Sequence, residues 1–416
     1  MLPGGTVLIE GQRIKSIGSA ERPMRIPRGA RVIDGRGKYV IPGLIDAHVH
    51  LVHVLDFANV TGDEILPLFL ANGVTAVRDT GDEIVAEKLV GRYAERHPEL
   101  CPRVFLSSPL IDRDPPFHPD AGRAVTDPDK VPEFVDDMVT WGVSTLKIYV
   151  GTGRAVGRRV IEEGHRRGLA VTAHLGNYSA QEALEDGIDC LEHIWSVFDY
   201  ILPPDRRRAP ESRANVDLDS PAAQSLIAEL ARRRVFVDPT LAVHRNMLLL
   251  ADLPEVFQHP DNRRVPARLQ RYWLKYRDGR MQTAFTPETL DLRRREFKRY
   301  QELVGRLHRA GVPLLAGTDT AEPFVPPGFS LHQELEFLVE SGLSPAAALQ
   351  AATIQNARAL KQAERLGSIE EGKLADLVIL DADPLADIRN TRKIFKILKE
   401  GRVLEPRAVL AAAPIE

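Results

Sequence analysis

The chain has 416 residues, 44% of them hydrophobic, and a formal net charge of -3. That length allows one large domain with a smaller companion, and the apolar content excludes a disordered chain. The near-neutral charge gives no reason to expect nucleic acid or an anionic membrane as a partner. Two cysteines, Cys101 and Cys190, lie far apart and make no disulfide framework, which fits a reducing compartment. No apolar run is long enough to span a membrane, and the first residues lack the charged region and apolar core of a signal peptide. The expectation is a cytoplasmic protein acting on a small molecule, as a homo-oligomer.

The chain opens with short strand-like runs at 6–10, 13–17 and 31–34, with Gly11 and Gly35 marking turns. The middle alternates apolar runs with helical stretches. Candidate strands lie at 43–50, 74–80, 103–111, 145–150, 170–175, 190–195, 235–241 and 312–318. Between them, Ser179 and Glu182 form a capping box in a helix that Gly187 closes. Ser220-Pro221 and Ser344-Pro345 each place an N-cap before a first-turn proline. Residues 242–309, rich in Arg and Glu, read as a helical insertion with a solvated face; a polyanion-binding surface is the sharper alternative, but the charges are mixed in sign. Strand-like runs return at 375–380 and 394–399. Repeated β-α alternation implies parallel strands, and eight repeats imply an α/β fold of the (β/α)8 TIM barrel kind over 44–363. The two strand-rich ends, 1–43 and 364–416, imply a small composite β-sandwich domain.

In such a barrel the chemistry sits at the C-terminal ends of the strands. The first candidate strand ends in His48-Val49-His50, whose spacing of two puts both imidazoles on one side. The fifth ends in His174, the sixth in Glu192-His193 and the eighth in Gly317-Thr318-Asp319. One such histidine is ordinarily a hydrogen-bonded core residue, and one such aspartate a helix cap. Four histidines and an aspartate at the ends of four strands are hard to explain as packing. Imidazole and carboxylate suit Zn2+, Mn2+ or Co2+. The fourth strand ends in Leu146-Lys147-Ile148-Tyr149, which turns Lys147 inward. A buried ammonium beside cations is costly. Either the lysine is neutral or ion-paired, or it has added CO2 to give a carbamate that bridges two metals.

These residues resemble the amidohydrolase superfamily over nearly the whole chain. The marks are Pro42-Gly-Leu-Ile-Asp-Ala-His-Val-His, Lys147-Ile-Tyr, Ala173-His174, Gly187-Ile-Asp-Cys-Leu-Glu-His193, Gly317-Thr-Asp319 and the tail from Gly367 to Val378. The resemblance implies that His48 and His50 bind a buried metal with Asp319, that His174 and His193 bind a second, and that carboxylated Lys147 bridges them; zinc is the expected metal. Lys147-Ile-Tyr and Val77-Arg78-Asp79 are similar to the prolidase and imidazolonepropionase-like branch, which implies hydrolysis of a dipeptide, N-acyl amino acid or cyclic amide. The chain departs from that branch at Pro116-Phe117-His118, where Gly-Gly-His is common, and after His174, where no second histidine follows closely. Members also usually carry a further strand ahead of Thr6.

The expected nucleophile is a hydroxide bridging the metals, with Asp319 as base and then acid. His118 is either a donor to the carbonyl oxygen or a surface-loop histidine. Tyr149 either touches substrate or is a structural rim residue. Arg206, Arg207 and Arg208 either recognise a carboxylate or form a solvated charge run. The same centre would suit a lactone or phosphotriester, and a non-catalytic scaffold on this fold would have lost ligands.

Overall fold

Gly43 sets how the chain enters its central sheet. A Cβ at this position would sit 2.1 Å from Thr75 Oγ1, so only glycine lets the two neighbouring strands approach. The computed structural model describes residues 2–202, 206, 210–248, 265–284 and 286–413.

The strands are β1 (Thr6–Glu10), β2 (Arg13–Gly18) and β3 (Tyr39–Pro42), then β4 (Leu44–Val49), β5 (Val74–Asp79), β6 (Arg103–Phe105), β7 (Leu110–Asp112), β8 (Gly122–Ala124), β9 (Thr145–Ile148), β10 (Ala170–Ala173), β11 (Cys190–Glu192) and β12 (Phe236–Asp238), and finally β13 (Leu377–Leu380), β14 (Ile394–Lys399) and β15 (Arg402–Leu404). Strands β4 to β12 pair in parallel, in the orders β4-β5-β6 and β12-β11-β10-β9-β7-β8. Isolated bridges join these two sheets at both ends. Ser107 bridges Thr145, and the segment 312–320 bridges β12 at Val237 and β4 at Val49. Leu315 N donates to Val237 O at 2.9 Å, and Ala47 N to Ala316 O at 3.1 Å. The parallel segments therefore follow one another round a ring, the α/β arrangement expected. Strands β4, β5, β9 and β10 are buried along their whole length, which is why they carry apolar runs rather than alternating patterns.

Three expected strands differ. The third is broken at 106–109, where hydroxyls take over from the ladder: Ser107 Oγ donates to Asp79 O at 2.5 Å and Ser108 Oγ accepts from Lys147 N at 3.0 Å. Pro109 has no N–H to continue it. The eighth makes only single bridges, through Leu314 and Thr320. Residues 31–34 form no strand; they are largely exposed, and Asp34 turns to pair with Arg36 at 2.6 Å.

The two ends of the chain meet. β3 pairs antiparallel with β13, β14 adds β15, and Ile14 N donates to Lys373 O at 2.9 Å. Ile14, Leu377, Ile379 and Leu398 share an apolar cluster there. Within the insertion, the helices Leu241–Leu248, Ala267–Ala284 and Pro287–Arg309 are formed as expected; residues 249–264 lie outside the described residues. No helix among the described residues is long and apolar enough to cross a membrane.

Candidate metal centre

The sequence-derived ligands come together at one end of the parallel strands. His48 lies in β4 and His50 follows it, Lys147 lies in β9, and His174 and His193 follow β10 and β11. Asp319 comes from the segment that completes the ring. His48 Nε2 and His50 Nε2 lie 3.3 and 3.2 Å from Asp319 Oδ1, and His193 Nδ1 lies 3.9 Å from Asp319 Oδ2. His193 and Asp319 both take positive φ, 64° and 63°, a backbone conformation uncommon for non-glycine residues and characteristic of functional turns. Gly317 leaves room behind them: a Cβ there would meet Asp238 Oδ2 at 2.2 Å and His48 Cβ at 2.6 Å.

Seven aromatic rings close a circle around this point. His118 contacts Tyr149 at 5.7 Å between centroids, Tyr149 contacts His174 at 4.9 Å, and His174 contacts His193 at 4.4 Å. The circle runs on from His193 to His48 at 4.7 Å, to His50 at 5.5 Å, to His53 at 4.8 Å and back to His118 at 5.6 Å. His118 and Tyr149 thus belong to the centre's rim. Arg206 instead lines a separate cleft of about 430 Å3 with Leu202, Glu211 and Asn215; Arg207 and Arg208 lie outside the described residues.

The donor set fits a bound cation. His48 Nε2, His50 Nδ1, Lys147 Nζ and His174 Nε2 are all buried and make no hydrogen bond. Orphaned buried polar atoms cost roughly 1–3 kcal/mol each, so four in one place call for a partner. Burial lowers the pKa of His48 to about 4, with the Lys147 charge adding to the effect, and it holds His174 and His193 well below the imidazole range. Neutral imidazole is the form that ligates metal. Burial also lowers the Lys147 pKa. At Asp319 burial works in the opposite direction, but the electrostatic influence of His48, His50 and Lys147 and a hydrogen bond from His50 outweigh it and hold the carboxyl below the usual carboxylate range. His48, His193 and Asp319 bring three ligand atoms within 4.8 Å of one another.

A second layer, which the sequence did not reveal, orients these ligands. His48 Nδ1 donates to Glu192 Oε2 at 2.9 Å, turning the Nε2 lone pair toward Asp319. Glu192 is itself held by Arg78 Nη2 at 2.6 Å and by Thr172 Oγ1. Arg78 is anchored by its Nε, which donates to Ala47 O at 2.6 Å. His193 Nδ1 pairs with Thr240 Oγ1 at 2.9 Å. Asp82 accepts from the N–H groups of Leu51, Val52 and His53 at 2.9–3.0 Å, and pairs with His53 Nδ1. Trp195 stands edge-on to His174 at 5.0 Å. His53 and Asp82 carry no spacing signal, because their pairing joins two separate loops.

The amidohydrolase family matches this chain over residues 39–404. The chain belongs to the amidohydrolase family. Its members are generally metal-dependent hydrolases of C–N bonds, and the ligand clusters above are of the kind such enzymes use. An imidazolonepropionase from Aromatoleum aromaticum is 26% identical over 401 residues, covering 93% of this chain and 88% of its own. The crystal structure of a putative prolidase from Bifidobacterium longum is 26% identical with a TM-score of 0.71, covering 97% of this chain and 92% of its own. Bottromycin amidohydrolase, at 23% identity and a TM-score of 0.75, covers 98% of this chain and 85% of its own, and shares the fold.

Proposed function

We propose that this amidohydrolase cleaves the C–N bond of a small substrate, a dipeptide, an N-acyl amino acid or a cyclic amide, at a binuclear centre held by His48, His50, Lys147, His174, His193 and Asp319. The observation that carries this reading is that four buried nitrogens without a hydrogen bond, His48 Nε2, His50 Nδ1, Lys147 Nζ and His174 Nε2, belong to neighbouring residues of one site, where His48 and His50 also approach Asp319 through Nε2. The similarity to an imidazolonepropionase and to a putative prolidase supports the choice of electrophile. Two divalent cations, zinc being suited to this donor set, would activate a water and polarise the scissile carbonyl when bound.

The protein's own groups do the rest. Asp319, acceptor-only while ionised, takes the water proton and passes it to the leaving nitrogen. Glu192 holds His48 with its Nδ1 protonated, and Thr240 orients the ring of His193. His118 and Tyr149, on the rim, face the substrate carbonyl. Lys147, whose pKa burial lowers, adds CO2 through the lone pair of its neutral amine form and gives up a proton to water, which leaves a carbamate anion. The described residues of 1–43 and 364–416 form the companion unit of this reading, which meets β4 at its start, where Gly43 N donates to Asp376 O at 2.7 Å.

Metal analysis of the purified enzyme, together with a panel of dipeptides, N-acyl amino acids, cyclic amides, lactones and aryl phosphotriesters, tests the proposal. The expected result is two metal ions per chain and turnover confined to the C–N substrates. One ion in fully active enzyme, or turnover of lactones or phosphotriesters alone, overturns it.

A further inference from the structure

The helix Ala267–Ala284 of the insertion lies against two loops that carry the centre. Trp273 packs on Phe324 at 5.9 Å, in the loop that follows Asp319. Arg268 Nη1 donates to Asn59 O at 2.6 Å, in the loop that follows His53. Burial and the nearby Glu322 carboxylate raise the Tyr272 hydroxyl to about 12, and Glu322 N donates to Asp319 O at 3.0 Å. This helix therefore packs on the loops that lead away from His53 and Asp319.

An open cleft of about 810 Å3 lies between helix and loop, lined by Phe57, Asn59, Arg268, Arg271, Tyr272 and Lys275 among others. Two of its features stand out chemically. Phe57, 57% exposed, stacks on Tyr272 with centroids 6.0 Å apart and an interplanar angle of 24°. Such an exposed aromatic pair offers a flat apolar wall. Beside it stand Arg271 and Lys275, four positions apart and so on one helix face. Arg268 is paired with Glu64, whereas Arg271 and Lys275 are exposed and have no ion pair among the described residues. Two cations without an ion pair among the described residues, beside a flat apolar wall, complement a ligand with an anionic group next to a ring.

We propose that this cleft is a subsite for the remote end of the substrate, and that this end carries a carboxylate beside an aromatic or similarly flat apolar group. The proposal rests on the hydrolase reading above and narrows its substrate class. Phe57 and Tyr272 take the ring. Arg271 and Lys275 take the carboxylate, leaving the scissile bond to reach the centre between His53 and Asp319.

The test is calorimetric binding of 3-phenylpropionate and of its neutral amide, 3-phenylpropionamide, to the metal-loaded enzyme and to an Arg271→Ala/Lys275→Ala variant. Alanine is compatible with an exposed helix position, so the variant keeps its fold. The acid is expected to bind about tenfold more tightly than the amide to the native enzyme, a preference that salt weakens and the variant loses. Equal affinities for acid and amide overturn the proposal. So does a preference that survives in the variant, because the carboxylate is then held elsewhere, at the metal centre. Arg271→Glu/Lys275→Glu is expected to favour the amide over the acid. Binding does not require turnover. If the acid preference behaves as expected while no C–N substrate of the panel is cleaved, the hydrolytic reading fails and the subsite stands.

Discussion

Two lysines of this protein are 1% exposed, and their surroundings are opposite. Lys399 Nζ donates to Glu400 Oε1 at 2.9 Å and has Asp376 Oδ2 at 4.0 Å, with Arg103 completing the cluster at 2.7 Å from Glu400. Lys147 Nζ has no hydrogen-bond partner. The same contrast separates the buried histidines. His332 has a partner at both nitrogens, Thr391 Oγ1 at 2.9 Å and Asn72 O at 3.1 Å, whereas His48, His50 and His174 each leave one nitrogen orphaned. Lys399 and His332 are satisfied from within the chain. The orphaned nitrogens of the candidate centre would be answered by the proposed cations. The difference teaches that burial alone does not mark a functional residue; what sets the candidate centre apart is a group of orphaned nitrogens on neighbouring metal-ligating side chains.

Substituting methionine for each lysine sharpens the contrast most. Lys147→Met is expected to lower turnover on the order of 10³-fold or more, because the proposed carbamate can no longer form. Its metal-free form should melt no lower than the metal-free parent, since an unpaired amine is replaced by a chain of similar volume. Lys399→Met should do the reverse, costing about 3 kcal/mol of stability by leaving buried Asp376 and half-buried Glu400 short of a cation. Its kcat per folded molecule should stay at the parent's value. Thermal melts and steady-state kinetics on both variants decide the matter; a Lys147→Met protein with parental turnover would make that lysine a packing residue.

A smaller effect is expected at His332. His332→Ala removes a link between the helix Phe329–Glu340 and the segment around Thr391, and should cost about 1–3 kcal/mol while leaving metal content intact. Loss of metal from this variant would break the division between satisfied and orphaned histidines.

The smallest effect lies at the surface. His165 Nε2 pairs with Asp189 Oδ2 at 2.8 Å, and that hydrogen bond raises the histidine pKa. A raised folded-state pKa gives stability that is complete below the unfolded value near 6.5 and fades as pH climbs through the folded value. His165→Ala should therefore destabilise by less than about 1 kcal/mol at pH 5.5, and by still less at pH 9. Chemical denaturation at the two pH values checks the sign.

Most of the candidate centre was legible because each ligand ends an apolar run. His48, His50, Lys147, His174, His193 and Asp319 stand where a strand's buried pattern stops, and β-α alternation brings those stops to one side. The supporting layer was not legible in this way. Arg78 and Glu192 are 114 positions apart, and their contact at 2.6 Å depends on neighbours across the ring. His53 and Asp82 belong to different loops, and no periodicity relates loops to one another. The strand boundaries failed where side chains replaced the ladder, as at Ser107 and Ser108, since hydropathy does not distinguish a hydroxyl bonded to backbone from one facing water. The run at 31–34 failed for the opposite reason: its alternation looked like a strand, but no partner strand was there to bury it.

The closure of the ring also has a consequence in time. Thr318 Oγ1 donates to Asp46 Oδ2 at 2.8 Å across 272 positions of chain. At a synthesis rate of roughly 5–20 residues per second, that separation takes roughly 14–54 s to emerge. For that interval the wholly buried strand Leu44–Val49 waits with one edge unpaired, the kind of surface that recruits other chains. His48 and His50 wait with it, since Asp319 is among the last residues needed. Metal capture at the proposed centre would therefore belong to the nearly finished chain, and a ribosome that stalls within the insertion releases a product that holds four of the proposed histidine ligands and lacks the carboxylate of Asp319.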